Sequence, residues 1–292
     1  VNPRPKSLAV AMLCALLTGG CTTTQAAPEP DSGPTPLTAA DALGDFGSID
    51  YCSLLKVPGA EAVPTFEDCH ATAGRRTIVV GPLAFDSDPN IKPYDYAGPV
   101  PEGVAIQQSM FNDRSACTRA VTFADGTRLD LSVTDDTGDQ AARCDVADAA
   151  VGSALAAITA HRVGRLTFPE GSWGRVAPCV PLDNHDLDAA AGPNSQPTIG
   201  LSGHSCIRGK VSFKLTVETA EPDGPSERLG GRDARVRLSG AFCLVDTTQP
   251  APGLPGRREL AEISVVETAG TAGDATCALA RSAANAILPR LP

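Results

Sequence analysis

Eight of the ten cysteines, at 52, 69, 117, 144, 179, 206, 243 and 277, fall into two sets of four that sit in matching sequence. Ahead of the first member of each set, Phe46-Gly47 and Trp173-Gly174 both stand four residues short of the cysteine, in DFGSIDYC and SWGRVAPC. After the last member, CDVADAAVGSAL from Cys144 aligns with CALARSAANAIL from Cys277, pairing Ala147 with Ala280, Ala150 with Ala283 and Leu155 with Leu288. The middle cysteines correspond as well: DCHATAGRRTIVVG parallels SCIRGKVSFKLTV, and SACTRAVTF near Cys117 parallels GAFCLVD near Cys243. Internal self-similarity of this kind constrains the fold more than any single motif. It predicts two tandem homologous domains, 44–166 and 167–292, each long enough to close a core of its own. The connection AHRVGRLTFPEG carries Leu166 and Phe168, so the two copies are expected to pack on each other.

Within each copy the periodicities predict an α+β layer, an antiparallel sheet covered by a C-terminal helix. Ala147, Val151, Ala154, Leu155 and Ile158 share one helical face after Cys144, and Ala280, Ala284, Ile287, Leu288 and Leu291 share one after Cys277. Strands are expected over 77–80, 117–123 and 128–133, with Asp125-Gly126 as the hairpin turn between the last two. In the second copy they are expected over 211–217, 234–238, 242–245 and 260–266, with the equivalent turn enlarged to TTQPAPGLPGRRE. An even set of cysteines in an exported chain reads as disulfides. The preferred pairing is Cys52–Cys69, Cys117–Cys144, Cys179–Cys206 and Cys243–Cys277, stapling each helix to a strand; two other pairings within each copy stay open. Each bridge is worth roughly 3 to 4 kcal/mol by chain entropy, and with aromatic residues at 4% of the chain such staples replace bulk in the core.

The chain opens with Arg4 and Lys6 ahead of an apolar run from Leu8 to Leu17, the layout of a secretory signal and too short to span a bilayer. Leu17-Thr18-Gly19-Gly20-Cys21 resembles the lipobox of bacterial lipoproteins. The resemblance implies a signal peptide over 1–20, cleavage after Gly20, a lipid on Cys21 and a membrane partner through that lipid. An ordinary signal peptide cut near Ala26-Ala27 is the alternative. TTTQAAPEPDSGPTP and the residues up to 43 read as a disordered tether. Loss of Arg4 and Lys6 moves the formal charge from -10 to -12, and an acidic chain lacks the basic footprint that nucleic acid requires.

Cys52-Ser53-Leu54-Leu55, Ala116-Cys117-Thr118-Arg119 and Cys277-Ala278-Leu279-Ala280 resemble a family of uncharacterised actinobacterial lipoproteins and secreted domains with four cysteines. The likeness covers most of 46–158 and, more loosely, 173–291. More distantly, the pattern is similar to the two-disulfide extracytoplasmic sensor domains of mycobacterial Ser/Thr kinases. The resemblance implies a place on the extracytoplasmic face of the cell membrane and a ligand-sensing or scaffold role. It brings no catalytic residues.

Four histidines limit acid–base chemistry to His70, His161, His185 and His204, and GLSGHSC does not supply the nucleophile elbow G-x-S-x-G. Aspartates in LDLSVTDDTGDQ and DNHDLD lack calcium-loop spacing, no cysteine–histidine set has zinc spacing, and no phosphate-cradling glycine loop is present. No metal and no cofactor are implied. Recognition on a stapled scaffold is expected in its loops, and of the two equivalent loops, 86–96 and 221–227, the first carries Tyr94 and Tyr96 as candidate ligand contacts. The expected function is a non-enzymatic, lipid-anchored binding or sensor protein of the envelope for a small molecule, glycan or protein. An envelope-acting hydrolase and a structural wall-associated lipoprotein are the alternatives.

Overall fold

The computed structural model describes residues 35–85, 90–110, 112, 115–136 and 138–292. The signal segment and Cys21 lie outside them. The described chain begins with α1 (Ala39–Leu43), whose N-terminus is closed by the Thr38 side chain accepting from the Asp41 amide. Ala39 and Leu43 are fully buried in the first core. The folded body therefore starts earlier than the residue 43 expected for the end of the tether. Pro36 and Thr38 gave that stretch a linker's composition, yet the Leu37 amide bonds the Glu102 carbonyl and the Leu37 carbonyl takes the Ala124 amide.

β1 (Ile49–Asp50) follows, and then seven strands: β2 (Glu61–Pro64), β3 (Cys69–Ala73), β4 (Arg76–Phe85), β5 (Ile91–Pro93), β6 (Ala105–Ser109), β7 (Ala116–Thr122) and β8 (Thr127–Thr134). They form one antiparallel sheet in the spatial order β2-β3-β4-β8-β7-β6-β5. α2 (Gln140–Thr159) then packs on β7 and β8, and β9 (Gly164–Arg165) returns to pair with β1. The short helices α3 (Cys179–Leu182) and α4 (Asp188–Ala191) lead into a second set of seven. It comprises β10 (Thr198–Ile199), β11 (Ser205–Arg208), β12 (Val211–Glu218), β13 (Ser226–Leu229), β14 (Arg232–Ser239), β15 (Phe242–Pro250) and β16 (Arg258–Val266), followed by α5 (Asp274–Ile287). The second sheet runs β10-β11-β12-β16-β15-β14-β13, the same order as the first, and α5 packs on β15 and β16. The protein is thus α+β, with two large antiparallel sheets.

Alternation dictates which face each sheet gives to its helix. On β8, Leu129, Leu131 and Val133 are fully buried, with Arg128, Asp130 and Ser132 on the other face. On β16, Ala261, Ile263 and Val265 do the same. α2 meets its sheet through Ala147, Ala150, Val151, Ala154, Leu155 and Ile158. The three alanines keep the helix close to the strands, and the few large side chains supply most of the apolar burial, about 1.5 to 3 kcal/mol each.

Four disulfides join neighbouring cysteines: Cys52–Cys69, Cys117–Cys144, Cys179–Cys206 and Cys243–Cys277. The second and fourth tie a helix to its sheet, at Cys117 on β7 and Cys243 on β15. The expected 13-residue turn after β15 is much shorter. Thr247 to Pro250 pair in register with Ala261 to Arg258, so only residues 251–257 turn; polar and proline-rich composition hid four residues of ladder. The short edge strands β2, β5, β10 and β13 and the strands β6 and β11 also escaped the periodicity, being brief or only partly buried.

Phe46 and Trp173 occupy matching local structures. Each begins a 3-10 turn whose N-terminus is closed by the preceding side chain, Asp45 accepting from the Gly47 amide and Ser172 from the Gly174 amide. Trp173 is fully buried, and its indole N–H has no acceptor. Trp173→Phe removes volume but also an unanswered donor, so an ordered fold with a loss of about 1 to 2 kcal/mol is expected by thermal or urea unfolding.

Candidate functional site

The two sheets meet through the β2–β3 turn. Thr65 shapes that turn, its hydroxyl donating to Asp68 Oδ1 at 2.7 Å and accepting from the Glu67 and Asp68 amides. The turn delivers Phe66 into the core of the second sheet, where it is buried beside Phe168 and His204. The Phe66 and Phe168 rings meet edge to face at 5.4 Å, and His204 lies 5.1 Å from Phe66. Glu67, also buried, accepts from the Ser202 hydroxyl at 2.5 Å and pairs with the Lys214 ammonium at 2.8 Å. Burial and the neighbouring Glu67 act in opposite directions on Lys214, and the net result is a raised pKa.

Beside this contact lies a small cavity of about 170 Å³. Its apolar walls are Phe66 from the turn, Leu166 and Phe168 from the connection, Val217 at the end of β12 and Leu254 from the β15–β16 turn. Thr65, Ser172 and Glu259 are the polar residues on its lining that are buried. Glu259 is saturated with donors: the Ser172 hydroxyl at 2.5 Å, the Trp173 amide at 2.7 Å and the Gln249 side chain at 2.7 Å. Ser172 Oγ in turn accepts from the Gly174 amide. The arrangement holds the connection against the β15–β16 hairpin and presents a mainly apolar opening with a few polar side chains on its lining, a common form of small-ligand site.

The histidines go elsewhere. His70 bonds Asp68 at 3.2 Å and His185 bonds Asp188 at 3.4 Å. His161 takes a left-handed conformation just after α2, with φ 50°. His204 lies at 2.9 Å from the Gly47 carbonyl; a carbonyl only accepts, so Nε2 carries the proton. Nδ1 is buried without a partner, and a second proton there would find no acceptor. Burial accordingly holds the His204 pKa below its ordinary 6.5, against the opposing effects of the Gly47 carbonyl, Glu67 and Asp45. The unfolded chain takes up this proton below about 6.5 while the folded chain resists, so His204 removes stability as pH falls from there. His70 has the opposite sign: bonded to Asp68, its pKa is raised, and its contribution is present in acid and lost as pH rises through the folded value. The difference between the parent and His204→Asn isolates the first effect. The loss of unfolding free energy between pH 7.5 and 5.5 should be smaller in the variant.

Tyr94 and Tyr96 lie on the first sheet and α2 and do not line the cavity. The Tyr94 hydroxyl donates to Asp148 Oδ2 at 2.7 Å, and the Arg119 guanidinium sits 3.8 Å from its ring centre while donating to Asp148 Oδ1 at 2.7 Å. Tyr96 donates to the Asp148 carbonyl at 3.4 Å, and a Cβ on Gly152 would stand 2.8 Å from its oxygen. Both rings thereby fasten the β5–β6 connection to α2. The aspartates of LDLSVTDDTGDQ are engaged too: Asp130 with Arg128, Asp135 with Arg143 and Arg76, Asp136 with Arg75, and Asp139 as the N-cap of α2. In DNHDLD, Asp188 pairs with Arg208, which also donates to the Leu182, Asn184 and Ser195 carbonyls. Among the described residues no group of three or more His, Cys, Asp or Glu side chains is placed to hold a metal ion. Sequence patterns gave no sign of the buried charges Glu67, Glu259 and Asp246, because an acid in a turn or on a strand face looks the same whether solvent or a donor from a distant segment lies above it.

Comparison with known proteins yields no matching family model and no matching curated sequence. A solved structure, the crystal structure of the di-domain ARO/CYC StfQ from the steffimycin biosynthetic pathway, aligns with 80% of this chain and 86% of its own at 12% identity. Its TM-score of 0.17 is too low to bear on fold or function. The four disulfides fit an extracytoplasmic or otherwise oxidising compartment. Among the described residues no helix is long and apolar enough to cross a membrane.

Proposed function

We propose that the chain is a non-enzymatic binding or sensor protein, exported and held on the outer face of the cell membrane by a lipid on Cys21, and built from two copies of one domain. The duplication is supported by the identical strand order of the two sheets and by disulfides at matching elements. The observation that carries the binding reading is the cavity between the β2–β3 turn and the β15–β16 hairpin, apolar on its walls and assembled from both copies. Its dimensions suit a small, mainly apolar ligand or one end of a larger one. Ser172 and Glu259 serve as a cap and a brace, and this favours recognition over catalysis.

The test is native mass spectrometry of the full chain recovered from an envelope extract. A co-purifying molecule is expected, lost in Leu254→Trp, which fills the cavity from a partly exposed turn. An unliganded parent protein would sink the reading, and labelling by a serine-reactive probe would point to a hydrolase instead.

A further inference from the structure

The second sheet carries a separate polar groove on the face turned away from α5. Register places Arg235 on β14 opposite Asp246 on β15, and Asp246 opposite Glu262 on β16. Cys243 and Val245 point to the α5 side, so Asp246 and Thr248 point away from it, with Arg235 and Arg258 on their face. The connection from β12 to β13 passes above this face. Glu221 pairs with Arg258 at 2.6 Å and takes the Thr248 hydroxyl at 3.3 Å, while the Gly224 carbonyl accepts a long bond from Arg235 at 3.5 Å. A groove of about 380 Å³ is left between connection and strands.

Two groups in it are incompletely matched. Asp246 is 1% exposed; Oδ2 takes the Arg237 guanidinium at 3.0 Å, and Oδ1 has no hydrogen bond. A buried carboxylate oxygen normally finds a donor. Arg235 has the single weak carbonyl bond just described and no carboxylate in salt-bridge range, in contrast to Arg258 with Glu221 and Arg228 with Asp233. The groove therefore offers an acceptor in need of a donor beside a cation in need of an anion. Arg235 and Asp246 are directly opposed in register, which sets their Cβ atoms about 5 Å apart, so one small molecule that carries both charges can meet both side chains. We propose that this groove binds a small zwitterion of the α-amino-acid type, its ammonium on Asp246 Oδ1 and its carboxylate on Arg235, with the Glu221–Arg258 pair closing over it.

The site shares no residue with the cavity between the copies, so the two can fail independently. The test is calorimetric titration of the full chain with L-alanine and L-serine, their N-acetyl and amide derivatives, and methyl α-glucoside. Binding of at least one free amino acid is expected, weakened tenfold or more by blocking either end. Asp246→Asn and Arg235→Gln should each weaken it tenfold or more, and Leu254→Trp should leave it unchanged. Arg235 is only half-buried, so its variant keeps the test open if Asp246→Asn does not fold. No heat with either amino acid, equal binding of the blocked forms, indifference to Arg235→Gln, or binding of the glucoside alone would each overturn the assignment.

Discussion

Asp135→Leu should destabilise the protein by about 3 to 5 kcal/mol, the scale for removing one partner of a buried ion pair. The Asp135 side chain is fully buried and accepts from Arg143, also fully buried, at 2.6 Å and from Arg76 at 3.2 Å. Through it the first turn of α2 is joined to the end of β8 and the start of β4. Leucine would leave the Arg143 guanidinium in the core without that carboxylate, and the attraction between the two charges would no longer offset its desolvation. Arg143→Met in the same chain removes the charge that has lost Asp135, so the double variant should recover part of the loss. Urea unfolding of the parent, the two singles and the double gives the comparison; a cost below about 1 kcal/mol for Asp135→Leu would place this pair with surface ion pairs instead.

Removal of the Cys243–Cys277 bridge, as Cys243→Ala with Cys277→Ala, has the other large expected effect. The bridged residues are 34 apart, and closing a loop of that length corresponds to about 4 kcal/mol of denatured-chain entropy. The spectroscopy of the chain makes the consequence readable by region. Trp173, the only tryptophan, is in the second core, while Tyr51, Tyr94 and Tyr96, the only tyrosines, belong to the first. In the double variant the fluorescence of Trp173 should report an earlier denaturation midpoint. Coincident loss of the tyrosine near-ultraviolet signal would show that Phe66 and Glu67 couple the two sheets into one cooperative unit. Lag of the tyrosine signal would show that they do not, and an unchanged tryptophan midpoint would contradict the role given to the bridge.

Cysteine spacing and periodicity made a good deal of the architecture legible. The stripe after Cys144 and the stripe after Cys277 are the buried faces of α2 and α5, and the Asp125-Gly126 turn connects β7 to β8 as its sequence requires. Alternation failed where strands are only two to five residues long, as with β2, β5 and β10, because so few positions cannot establish a period. It also failed at Thr247–Pro250, where composition argued for a turn and the ladder continued regardless. The candidate site was hidden for a different reason. Leu166 and Phe168 gave notice that the connection is apolar, but Phe66, Val217 and Leu254 are separated by long stretches of chain, and their meeting depends on how the β2–β3 turn rests on the second sheet. Tyr94 and Tyr96 were conspicuous as aromatic residues in a loop, and Asp148 and Arg119 account for them as packing. The polar groove left no trace at all in the order of residues, since Arg235 and Asp246 are ordinary alternating strand positions until a connection crosses above them.

Every disulfide described joins one cysteine to the next along the chain, and β9 pairs with β1 before Cys179 is reached. For a polypeptide threaded outward through a membrane from its N-terminus, cysteines become available to an oxidase in the order in which they are meant to pair. Successive oxidation on emergence thus forms the native set without passing through mismatched bonds, and maturation of such a chain should depend on the oxidase and hardly on an isomerase. A knockout of each in an export host separates the two dependences.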